Sequence, residues 1–88
     1  MTVNQVIYKF VPDESIRHII FSIKKKCSDK VIDTDQFFKI CDQSVYYVCK
    51  VINHFGYSTY KSIKESIFER MTDLEILEFS KEGIRFKG

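Results

Sequence analysis

The chain is nearly devoid of residues that break regular structure: Pro12 is its only proline, and its glycines are Gly56, Gly83 and Gly88. Sandwiches and small barrels need such residues at every strand connection, so their scarcity points to long elements joined by few turns. Eight phenylalanines supply bulky core filling for elements of that kind. The expected class is mainly α: a helix-turn-helix domain of three to five helices, with a small β element from the N- and C-terminal segments. A winged helix with a C-terminal hairpin is the alternative. With 88 residues, one domain buries only about 60–65% of its unfolded surface. That allows one modest core but hardly a substrate cleft as well, which favours a binding module over an enzyme.

Residues 1–12 read as an extended arm. Val3 to Val11 is β-branched and aromatic, alternates around Lys9 and is closed by Pro12. From Asp13 the period changes. Ile16, Ile19, Ile20 and Ile23 recur at helical spacing, Asp13 is placed as N-cap, and Lys24, Lys25 and Lys26 sit at the favourable end of the dipole of helix 13–26. Asp33 with Gln36 makes a capping-box signature for a second helix carrying Phe37, Phe38, Ile40 and Cys41. Three polar residues, Asp42-Gln43-Ser44, interrupt that pattern, so the sequence predicts a turn there, with Ser44 capping a separate helix over 44–55 that stops at Gly56. Ser58 or Thr59 opens another helix with Tyr60, Ile63, Ile67, Phe68 and Met71 on its apolar side, completing a helical core over 13–71. Residues 72–88 read as a C-terminal helix, 73–81, and tail. Leu74 to Phe79 and Ile84 to Lys87 also fit a hairpin. In the first reading, 84–87 pairs with the strand-like arm Val3–Val11.

Net charge is only +2, too little to announce a nucleic-acid partner by itself, but its distribution is polarised. Residues 43–64 contain Lys50, Asn53, His54, Lys61 and Lys64 with Tyr46, Tyr47, Tyr57 and Tyr60, and no Asp or Glu. Residues 15–28 carry Arg17 and the three lysines 24–26, again without a carboxylate. Lysines without neighbouring carboxylates are what phosphate binding needs, since an adjacent acid opposes counterion release. On a helix over 44–55, Val48, Val51, Ile52 and Phe55 share one side while Tyr46, Tyr47, Lys50, Asn53 and His54 face away. Lysine reaches guanine or phosphate, asparagine pairs with adenine, and Val45 meets a thymine methyl, so the outward face has the chemistry of a recognition helix.

Residues 33–67 resemble the N-terminal DNA-binding domain of RpiR-type bacterial transcriptional regulators. Asp33-Thr34-Asp35-Gln36-Phe37-Phe38-Lys39-Ile40-Cys41-Asp42-Gln43-Ser44 is similar to that family's second helix and turn, with Ser44 at the serine that opens the recognition helix. Val48-Cys49-Lys50 resembles its Val-Val-Arg, and Phe55-Gly56-Tyr57 its Leu-Gly-Phe. With helix 13–26 upstream, the likeness extends over about residues 13–71. It implies sequence-specific binding of double-stranded DNA by a homodimeric cytoplasmic regulator. The candidate contacts are Ser44, Val45, Tyr46, Tyr47, Lys50, Asn53 and His54 in the groove, and Arg17, Lys24, Lys25, Lys26, Lys61 and Lys64 on phosphates.

Nothing else in the chain points to chemistry. His18, His54 and the cysteines at 27, 41 and 49 lack zinc-ligand spacing, and there is no glycine-rich phosphate loop or paired-acid motif. No cofactor, metal or catalytic residue is expected, nor a membrane, because the isoleucine stripe of helix 13–26 suits a core. The competing expectation is a small protein-interaction module, of phage or mobile-element type, that grips its partner through the exposed tyrosines.

Overall fold

A computed structural model describes residues 1–52 and 57–87, with the side chains of Cys49 and of residues 51–61 outside the description. It comprises α1 (Val3–Phe10), α2 (Glu14–Cys27), α3 (Thr34–Ile52), α4 (Tyr57–Asp73), β1 (Leu77–Phe79) and β2 (Ile84–Phe86). The protein is mainly helical with a small antiparallel sheet, as the scarcity of chain breakers leads one to expect.

The N-terminal arm is a helix, not a strand. Thr2 caps it: its hydroxyl accepts from the Gln5 amide while the Gln5 side chain accepts from the Thr2 amide. Val3, Ile7 and Val11 are buried and Val6 is half-buried, which is a 3.6-residue stripe. The β-branched letters that suggested alternation serve that stripe equally well, and the core it covers overrides strand propensity. The pairing expected between Val3–Val11 and residues 84–87 does not occur.

Helix α2 follows the sequence closely. The Asp13 carboxylate accepts from the Ile16 amide, Ile19, Ile20, Ile23 and Cys27 are buried, and the helix ends at Ser28 in a left-handed conformation. Helix α3 begins as expected, with the Asp33 carboxylate accepting from the amides of Asp35 and Gln36. It then runs unbroken through the turn expected at residues 42–44. Phe37, Ile40, Cys41, Ser44, Val45 and Val48 are all buried and fall at i, i+3, i+4, i+7, i+8 and i+11, so the stripe is continuous once Ser44 counts as an inward residue. Its small side chain lets α2 cross closely, with the hydroxyls of Ser22 and Ser44 3.4 Å apart. Residues 44–52 of the expected separate helix 44–55 are therefore the second half of α3, and residues 53–55 lie outside the described residues.

Residues 74–86 take the hairpin alternative rather than the expected helix 73–81. Glu75 at φ +56° turns the chain out of α4, and β1 pairs with β2 in the register Leu77 with Phe86, Glu78 with Arg85 and Phe79 with Ile84. A bridge joins β2 to the segment between α2 and α3: Ile32 and Ile84 exchange backbone hydrogen bonds of 2.8 Å in each direction. Gly83 closes the hairpin at φ +146°. A Cβ there would lie 2.0 Å from the Ile32 carbonyl oxygen, a position open only to glycine. The hairpin and α1 cover a core in which Phe37 meets the rings of Phe68 and Phe86.

Candidate nucleic-acid interface

Because α3 is continuous, its solvent side is one long face rather than two short ones. Lys39, Gln43, Tyr46, Tyr47 and Lys50 are exposed along it, at the spacing that aligns residues on one helical side. Helix α2 crosses α3 at Ser22 and Ser44, and that crossing carries the C-terminal end of α2 to the same place. Lys26, Gln43, Tyr46, Tyr47 and Lys50 together line an open concavity. An ammonium thus comes from each helix, two phenols and an amide share the lining, and none of the described lining residues is a carboxylate.

A second shallow depression adjoins it, lined by Lys39, Asp42, Gln43 and Tyr46. Asp42 is engaged by α4, its Oδ1 lying 2.9 Å from Lys64 Nζ. The acid at the margin of the lysine surface is thereby part-neutralised from within the fold. The tyrosines are 58% and 62% exposed at 46 and 47, a degree of exposure that presents ring faces as well as hydroxyls.

The expected contacts divide into four groups. Tyr46, Tyr47, Lys50 and Lys26 are brought together, with Lys25 exposed and Lys24 half-buried on the same helical end. Ser44 and Val45 are fully buried, so neither opens a recognition helix nor reaches a groove, because α3 continues through the polar triplet 42–44 and turns both residues toward the core. Arg17 lies on another surface, donating to the Val11 carbonyl oxygen at 3.4 Å and standing 5.5 Å over the Tyr8 ring, where it ties α1 to α2. Lys64 holds Asp42, while Asn53, His54 and the Lys61 side chain fall outside the described residues. Sequence reasoning missed Lys39 and Gln43 as members of the face; the 39, 43, 46, 50 spacing was the available signal.

The buried thiols are unsuited to chemistry. Burial raises Cys27, and Cys41 is pushed up to about 12 by burial first and then by the neighbouring Cys27 and Asp42. A protonated, enclosed thiol is a weak nucleophile at neutral pH. Among the described residues no cluster of His, Cys, Asp and Glu is arranged to hold a metal ion, and no helix is long and apolar enough to cross a membrane. No family model, curated protein or solved structure matches the chain.

Proposed function

We propose that this chain binds double-stranded nucleic acid, engaging the phosphate backbone through α2, α3 and the first half of α4. The observation that carries the reading is the placement of two carboxylate-free stretches. The first, residues 43–64 in sequence, includes the second half of α3, and the second, residues 15–28, supplies Lys26, which lies beside Gln43, Tyr46, Tyr47 and Lys50. Lysines gathered this way release counterions from a duplex, and the one acid described at their margin, Asp42, is held by Lys64.

The order of elements supports the same reading. A helix, a bridged segment at Ile32, two further helices and a hairpin whose second strand returns to that bridge make a winged-helix arrangement. In such an arrangement α4, rather than residues 44–55, is the helix offered to the major groove, and its opening residues, Tyr57-Ser58-Thr59-Tyr60-Lys61, are of hydrogen-bonding types. The hairpin contributes little charge, because Arg85 is bound to Glu78 and Lys81 is followed by Glu82.

The test is a titration of random-sequence duplex at several salt concentrations. Affinity falls steeply with salt, and Lys26→Ala and Lys50→Ala each reduce the slope of log K against log salt by about one, whereas Lys81→Ala does not. Salt-independent binding, or equal effects at all three lysines, refutes the placement. A protein-interaction module is the second reading, favoured by a different face: Phe38 and Phe79 are 42% and 57% exposed on either side of Phe68, with ring centroids 5.0 Å and 6.4 Å from it. An aromatic surface of that kind suits a protein partner.

A further inference from the structure

We infer that the concavity formed by Lys26, Gln43, Tyr46, Tyr47 and Lys50 accepts an unpaired nucleotide segment, so that the protein favours a duplex carrying a single-stranded tail over a blunt one. The inference rests on the nucleic-acid reading above but asks more of it, because lysines alone explain duplex affinity and make no use of the aromatic surface that Tyr46 and Tyr47 expose.

Two adjacent tyrosines, 58% and 62% exposed, are presented in one concavity. In a duplex the base faces are covered by their neighbours in the stack, so an aromatic ring has no base plane to meet; in a single strand each base offers one. A phosphate-tracking lysine on either side of aromatic rings is the pattern that holds single strands. Here Lys26 comes from α2 and Lys50 from the last turn of α3, and the tyrosine rings and the Gln43 amide line the same concavity. The amide can donate to and accept from the edge of an unpaired base. Charge complementarity favours a polyanion, since none of the described lining residues is a carboxylate and Asp42 nearby is bound to Lys64. An acidic peptide would satisfy the lysines but would bring no flat π surface for the tyrosines.

The experiment measures fluorescence anisotropy of the full chain with a blunt duplex, the same duplex bearing a short oligothymidine tail, oligothymidine alone and a polyglutamate peptide. The expected result is that the tail tightens binding by about fivefold or more, the range for one or two stacked bases. Tyr46→Ala/Tyr47→Ala brings the tailed-to-blunt ratio to near one, while Tyr46→Phe/Tyr47→Phe keeps it. These positions are exposed, and circular dichroism confirms that each variant folds. Equal affinity for tailed and blunt probes overturns the inference while leaving duplex binding standing. Tyrosine-dependent binding of oligothymidine without any binding of blunt duplex retains the inference and refutes the duplex reading. Binding of polyglutamate alone, or tyrosine variants that weaken all probes equally, overturns the inference.

Discussion

Replacing Gly83 by alanine probes the long-range contact that sets the hairpin. The new Cβ would sit 2.0 Å from the Ile32 carbonyl oxygen, 2.7 Å from its carbon and 3.2 Å from Asp33 Cα. All three are backbone atoms, so no rotamer change relieves the overlap and the chain must separate there. A non-glycine residue at φ +146° costs about 1–3 kcal/mol on its own account. Opening the bridge forfeits the reciprocal Ile32–Ile84 hydrogen bonds, each worth about 1 kcal/mol net. The expected loss is therefore roughly 3–5 kcal/mol, a large part of the ~4–13 kcal/mol available to a domain of this size. Urea denaturation followed by far-UV circular dichroism measures it, with Glu82→Ala at the exposed neighbouring position as control. Amide exchange reports the location, because protection at Ile32 and Ile84 should fall even though Ile32 lies far away in sequence. A loss below about 1 kcal/mol with both amides still protected would falsify the bridge as the reason for glycine.

Ser44→Leu should destabilise by about 1–3 kcal/mol through overpacking at the α2 crossing, while Ser44→Ala should cost less than about 1 kcal/mol; thermal melts showing the reverse order would restore Ser44 as a helix cap. Thr2→Ala removes one half of a capping box and should cost about 0.5–2 kcal/mol, with faster exchange at Gln5 and Val6 and none of that change in α4; unchanged exchange at Gln5 counts against a stable α1. Asp42→Asn removes the acid beside the lysine face and releases Lys64, so duplex affinity should rise and its salt dependence steepen by about one unit of slope; weaker binding contradicts the site. Cys41 stays protonated in the folded chain up to about 12, whereas the unfolded thiol ionises from its ordinary value of 9.0. Its contribution is thus full below about pH 9 and is lost as pH rises toward 12, by at most about 1.4 kcal/mol per pH unit. Cys41→Ala should flatten that stretch, and parallel urea midpoints for variant and parent between about pH 8 and about pH 10 would exclude it.

Local order was written in the sequence wherever a single helix carries both its start signal and its stripe. Asp13 with Ile16, Ile19, Ile20 and Ile23 specifies α2, and Asp33 with Gln36 specifies the start of α3, because caps and periodicity act within a few residues of one another. The same local signals existed for α1, in the Thr2–Gln5 box and the Val3, Val6, Ile7, Phe10, Val11 spacing, but β-branched composition spoke louder. The lysines and tyrosines of the candidate site were equally legible as residues free of neighbouring acids.

Only packing decided the rest. A serine in the middle of a helix reads as a break until another helix packs on it, so the continuity of α3, and with it the single long face bearing Gln43, Tyr46, Tyr47 and Lys50, goes with the burial of its inner stripe and the packing of α2 at Ser22 and Ser44. Residues 74–86 hold letters for helix and strand alike. Their choice is made by Ile32, whose backbone offers β2 a partner and whose carbonyl leaves room at residue 83 for glycine alone. Caps and stripes are properties of a short window and travel with the sequence. A helix crossing and a bridge between residues 32 and 84 are contacts whose free energy exists only after the chain has closed on itself.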